Sequence, residues 1–195
     1  TPIAQTTITG VSEVGGNRDN YRDAYQSWKD AGHIGYWWSF MPVKKDPEPF
    51  PSEGFVIKTR NDASVDLTKP EAYFYAKYAI AAGADKLTLK ARNFNGSSPT
   101  YFGLVAITED MAVTPVIPTF TPGEGVENYL GEAVNGQLFK FINNDGGQGN
   151  PEKYATFEYD LSAFDGKNVV LALGVVKGED SGNEDKLCMY SITLN

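Results

Sequence analysis

The run Lys86 to Phe94 (KLTLKARNF) alternates more cleanly than any other in the chain. Leu87, Leu89 and Ala91 fall on one side, and Lys86, Thr88, Lys90 and Arg92 on the other. A period of two with one apolar side predicts a strand that is buried on one face and wet on the other. The same test sets Phe74, Ala76, Tyr78 and Ile80 against Tyr73, Tyr75 and Lys77 in the run Tyr73 to Ile80. In Phe55 to Arg60 it turns Phe55 and Ile57 inward and Lys58 and Arg60 outward. In Ile34 to Met41 (IGYWWSFM), Tyr36, Trp38 and Phe40 are expected in the core, which sends Trp37 to the opposite side.

The last third carries three more strand-like runs: Tyr154 to Leu161, Val169 to Val176 and Leu187 to Leu194. In the last of these Cys188 shares its parity with Tyr190, Ile192 and Leu194 and is expected on the apolar face. Thr6 to Val11, Tyr101 to Thr108 and Phe139 to Ile142 complete about ten short strands, with turn signals between them and no alternation with helices. The pattern predicts an all-β fold, an antiparallel β-sandwich. One short N-terminal helix is expected over Asp19 to Ala31, where Tyr21, Tyr25 and Trp28 share a face that docks on the sandwich. Pro115, Pro118, Pro122 and Gly123 make Val113 to Gly125 a candidate boundary. A sandwich with strands on both sides of that stretch needs all of them for its core, so residues 1–195 are expected to form a single domain.

The phrase Asp160-Leu161-Ser162, the Gly166-Lys167 turn, the apolar run Val169 to Val176 and the closing Ile192-Thr193-Leu194 resemble the ending of bacterial extracellular jelly-roll modules. The segment ARNFNGSSPTYFGLVAIT looks like a strand pair that such modules carry earlier. These modules have a galactose-binding-domain-like fold and serve as carbohydrate-binding or adhesion-associated domains. The resemblance implies a bacterial extracellular or cell-surface location, with neighbouring domains of a longer polypeptide as partners. Many of these modules place an acidic residue of a structural Ca²⁺ site shortly before the final Ile. This chain has Met189, Tyr190 and Ser191 there, so that metal site is not expected.

Composition narrows the partners. In 195 residues, 25 acidic against 17 basic side chains give a net charge of −8, which argues against nucleic acid or an anionic membrane surface. No apolar run approaches the ~20 residues of a spanning helix, so no membrane span is expected. The single cysteine excludes an internal disulfide and a Cys-rich zinc site. The chain begins at Thr1 rather than Met, which suits a module cut from a longer protein.

Sugar offers no charge to grip, so its recognition needs flat apolar rings beside planar hydrogen-bonding groups. Trp37, Tyr73 and Tyr75 lie on the polar side of their strands, with Arg60 and Arg92 as polar partners and Tyr101 beside the Asn95 to Pro99 turn. The plain reading of those rings is that the helix or the Pro42 to Pro51 loop covers them; the functional reading is a glycan surface. Two loops, 143–148 and 179–185, have the oxygen-rich composition that structural Ca²⁺ needs, with Asn143, Asp145, Asp180 and Asp185 as candidate ligands. Neither follows EF-hand spacing, and the plain reading of both is a solvated turn.

Glu158 and Asp160 form the first half of an E-x-D-type glycosidase motif, but no third carboxylate follows, and Asp160 is expected to fix the turn into Ser162. His33 is the only histidine, and no G-x-S-x-G elbow accompanies it. No catalytic set and no certain cofactor emerge. The leading expectation is a non-catalytic glycan-binding module. A structural or adhesion spacer without a small ligand is the alternative, and a β-sandwich glycoside hydrolase or lyase the second.

Overall fold

The structure, a computed structural model, describes residues 14–16, 55–59, 63–68, 72–93, 98–110, 112–143, 154–180 and 185–195. The helix expected over Asp19 to Ala31 and the strands expected over Thr6 to Val11 and Ile34 to Met41 lie outside them. Among the described residues the strands are β1 (Val14–Gly16), β2 (Phe55–Lys58), β3 (Ala72–Ala79), β4 (Lys86–Asn93), β5 (Thr100–Thr108) and β6 (Val113–Val116). They continue as β7 (Thr119–Pro122), β8 (Leu130–Val134), β9 (Leu138–Ile142), β10 (Ala155–Asp160), β11 (Asn168–Val176) and β12 (Lys186–Leu194). Among these residues no helix is long and apolar enough to cross a membrane.

All pairings are antiparallel. One sheet has seven strands in the order β1-β3-β11-β5-β9-β8, with β6 also on β5. The other has five, β2-β12-β4-β10-β7. Residues of both sheets enter one buried cluster, so the protein is an all-β antiparallel sandwich. The alternation read from the sequence explains who enters it. β4 contributes Leu87, Leu89 and Ala91, all within 3% of full burial, while Lys86 is exposed. β10 contributes Ala155, Phe157 and Tyr159, and β11 Val169, Leu171, Leu173 and Val175.

The ring of Phe157 joins the sheets. Its centroid lies 5.2 Å from Phe102, 5.5 Å from Phe139 and 5.2 Å from Phe141 in the opposite sheet, all edge-on. Edge-on rings meet positive rim to negative face, the arrangement their quadrupoles favour.

The Pro-rich stretch holds two short strands. It contains β6, which pairs with β5, and β7, which pairs with β10. Proline removes a ladder donor and is tolerated on a strand that pairs on one side, which accounts for Pro115 and Pro122. Val126 and Tyr129, just beyond, enter the same core as strands that precede it. The β8–β9 hairpin closes through Asn135 (φ 55°) and Gly136 (φ 64°), with the Gln137 N–H donating to the Val134 carbonyl at 3.2 Å. Two successive positive φ values make this a type I′ turn, whose twist matches that of the strands.

One expectation is corrected. Among the described side chains of β12 the buried ones are Leu187, Met189 and Ile192. The register against β4 slips between Met189 and Ser191, an extra residue that resets the alternation. Position 188 therefore pairs with Arg92 and Val56, out of phase with the core residues beside it. A strict period of two misses this because a bulge is set by the partner strand.

Replacing Phe157 by Ala removes the shared ring from between the sheets and is expected to lower unfolding free energy by about 3–5 kcal/mol. Urea unfolding followed by fluorescence checks it; a loss below about 1 kcal/mol would mean that the sheets are joined elsewhere.

Candidate functional site

The candidate site lies on the face of the seven-stranded sheet that turns away from the core. β11 sends its large residues inward and leaves Val170, Ala172 and Gly174 for the other side. β5 does the same with Phe102, Leu104 and Ala106 against Gly103, Val105 and Ile107. Residues directly opposite in an antiparallel ladder share a face. Three rows therefore cross the sheet: Tyr73, Gly174 and Gly103; Tyr75, Ala172, Val105 and Pro115; Lys77, Val170, Ile107 and Val113.

A groove of about 600 Å³ runs over this floor. Its described lining residues carry no charged side chain, and Thr68 and Gln137 supply the polar side-chain groups. Small residues make the depth. At Gly103 a Cβ would come within 2.8 Å of the Gln137 carbonyl oxygen, so glycine lets the β8–β9 turn lie close against the sheet at the groove's end.

The residues singled out from the sequence separate. Tyr73 and Tyr75 stand in register with Gly174 and Ala172, so the backbone brings both positions to the groove face. Trp37, Arg60 and Asp145 lie outside the described residues.

Arg92, expected on the wet side of β4, is fully buried, and its Nε–H donates to the Asn93 carbonyl at 3.4 Å. Alternation fixes the side of a strand, but how much chain covers that side is not a local property. Tyr101 is only 7% exposed. Its hydroxyl donates to Glu179 Oε1 at 2.9 Å, the Lys140 ammonium lies 5.6 Å from its ring centroid, and Gly178 sits so close that a Cβ there would collide with the ring. Burial, then the Glu179 hydrogen bond, push this phenol above its ordinary pKa. Neither side chain presents an open face to a sugar.

The oxygen-rich loops divide too. Asp180 is exposed, while Asn143 and Asp185 are buried. Asp185 Oδ2 accepts the Gly178 N–H at 2.8 Å, and its own N–H donates to Thr59 Oγ1 at 2.9 Å. The Thr59 N–H donates back to the Asp185 carbonyl at 2.9 Å. Burial raises the Asp185 pKa, offset by the Gly178 hydrogen bond and by the charge of Lys177. Asp185 thus fastens the base of its loop to the end of β2. Among the described residues no group of three or more His, Cys, Asp or Glu is placed to hold a metal.

Of the half motif, Glu158 meets Lys86 at 3.4 Å and Asp160 Oδ1 accepts the Ser162 N–H at 2.9 Å, the turn-fixing role expected of it. The hydrogen bonds from Ser162 hold the Asp160 carboxyl below its ordinary pKa. The sequence missed the groove floor. Its signal was the regular interleaving of large with small residues in VVLALGVV and YFGLVAIT.

Thr59→Val removes the acceptor of a buried N–H at nearly constant volume and is expected to cost about 1–3 kcal/mol, with Thr59→Ser restoring most of it. Thermal unfolding of the three proteins checks this. A depressed carboxyl pKa means that Asp160 stays ionised as pH falls past the ordinary carboxylate range and protonates only below it. NMR titration of its carboxyl carbon should show that low midpoint, and Ser162→Ala should move it up. No family model matches this chain, and no curated protein sequence matches it.

Proposed function

We propose that this chain is a non-catalytic carbohydrate-binding module with a galactose-binding-like jelly-roll fold, part of a bacterial extracellular or cell-surface protein, that holds glycan in the outer-face groove. The observation that carries this reading is the groove of about 600 Å³, its described lining mostly apolar, with the register positions of Tyr73 and Tyr75 along it. A pyranose has apolar C–H faces and a rim of hydroxyls. A floor of Val105, Ile107, Val170 and Ala172 suits the faces, and Thr68 and Gln137 suit the hydroxyls. The described lining offers no charge to grip an acidic sugar, and a net charge of −8 on the chain also disfavours uronic acids. A single shallow site binds weakly, in the micromolar to millimolar range, and tethering to neighbouring domains compensates through effective concentration.

The second reading is an adhesion or spacer domain that meets a partner protein through the same face. Val113, which lines the groove, is 58% exposed, and Val65, two residues before the lining Leu67, is 48% exposed. Apolar side chains left this open are what protein contacts cover.

Calorimetric titration against plant, mucin and microbial glycans tests the first reading. At least one neutral glycan is expected to bind, and Tyr75→Ala is expected to weaken it about tenfold. Ala172→Gln, which raises the floor of the groove, should do the same while the circular dichroism spectrum stays that of the parent. Silence across the panel, or binding that ignores both variants, would sink the glycan reading.

A further inference from the structure

We infer that the groove is one half of a longer site, and that a polar pocket where β5 ends and β11 begins receives a further unit of a linear, neutral oligosaccharide. This rests on the glycan reading of the groove and extends it to the length of chain held. β11 turns Val170, Ala172 and Gly174 to the groove, and Asn168, at the start of the strand, has the same parity. Just past the end of β5, Glu109 follows Gly103, Val105 and Ile107 in the same step of two. The two side chains meet across that row: the Asn168 Nδ2–H donates to Glu109 Oε1 at 3.2 Å. A cavity of about 480 Å³ lies there, with Glu109, Asn168, Lys167, Thr114 and Phe164 in its lining.

Along the strands, the described residues leave the groove one direction in which to continue. Beyond the row of Gly103 and Gly174, Tyr101, Leu138 and Val176 form a buried cluster on which Leu67 packs. The Asp66 N–H donates to the Lys177 carbonyl at 2.9 Å, which fastens the segment carrying Leu67 across that end. At the other end the floor passes from Val170 and Ile107 directly to Asn168 and Glu109, and Val113 beside them is 58% exposed. From Ala172 to Asn168 the strand runs about 13 Å, at ~3.3 Å per residue. A single pyranose is too short to touch both ends of that span, and a linear oligosaccharide is not.

The two halves offer different chemistry. The groove gives an apolar floor to ring faces, and the pocket gives hydrogen bonds to a sugar rim. Neighbouring sugar hydroxyls each donate and accept, and a carboxylate beside a carboxamide matches them: Glu109 accepts, and Asn168 both donates and accepts. Their mutual bond occupies only one carboxylate oxygen and one amide N–H. Asp110, by contrast, is spent on its own turn, where it accepts the Thr108 hydroxyl and, at 3.4 Å, the Ala112 N–H. Two carboxylates against the one ammonium of Lys167 leave the pocket lining net negative, which selects a neutral unit over an acidic one.

Calorimetric titration with gluco-, xylo-, manno- and galacto-oligosaccharides, each as a series from monosaccharide to hexasaccharide, tests this. In at least one series affinity is expected to rise about tenfold once the chain spans both halves. Glu109→Ala and Asn168→Ala are each expected to remove that gain, so that a long chain binds only as well as a short one, whereas Tyr75→Ala weakens short and long chains alike. Both altered side chains are exposed, so neither change is expected to disturb the fold. A gain that survives both variants, or an affinity that does not rise with length, overturns the inference and leaves the groove reading standing. Absence of binding at every length overturns both.

Discussion

Ladder hydrogen bonds run within each sheet, and among the described residues the sheets are held together mainly by side-chain packing, with a few polar ties such as the Asn93 amide donating to the Phe141 carbonyl. The four phenylalanines around Phe157 are the densest part of that contact, three of them reaching across from β5 and β9. Their position sets a constraint on everything outside. Because Phe102, Leu104 and Ala106 must point at Phe157 and its neighbours, Gly103, Val105 and Ile107 are forced to the far side of β5. The same logic applied to β11 forces out Val170, Ala172 and Gly174. The groove is thus the reverse side of the core, and its shape follows from which inward residues the core requires and which small ones lie between them.

β11 makes the point most sharply. It is paired on both sides, by β3 and β5, and its residues are apolar on both faces. An antiparallel strand with one solvated face normally carries polar residues there. Here the strand has valine, alanine and glycine instead, and they are half-buried or buried rather than open. A sheet face built this way is suited to something that displaces water from it. The polar network at the other end of the strand, where Asp185 grips Gly178 and Thr59, holds the chain leaving β11 against β2 and so keeps that end of the groove in place.

Much of the sandwich was legible in the sequence because one-sided burial writes itself as a period of two. β4, β5, β9, β10 and β11 stand within a residue or two of the runs read for them. β6, β7 and β8 were not read. Pro115 and Pro122 read locally as punctuation, whereas an edge strand tolerates proline, and Asn135-Gly136 is the short hairpin signal that joins β8 to β9. The candidate site was half legible. Parity placed Tyr73 and Tyr75 on the outer side of β3, and the register agrees. Exposure is what local pattern does not carry: Arg92 and Tyr101 are buried by chain that lies over them, and in β12 a bulge shifts the phase, so the register position of Cys188 is out of step with Ile192 and Leu194.

A groove whose described lining is mostly apolar also bears on how the two readings of the face differ. A protein partner adds area: it would cover Val113 and Val65 as well as the floor, and the gain would scale with apolar surface removed from water. A sugar adds little area and depends instead on a few well-placed groups, so its affinity rests on the aromatic positions at 73 and 75 and on Thr68 and Gln137. Changing the exposed valines therefore acts on one occupant, and changing the tyrosines acts on the other. The face is the same in both cases, but the residues that matter are not, because a flat partner reads the rim and a small ring reads the floor.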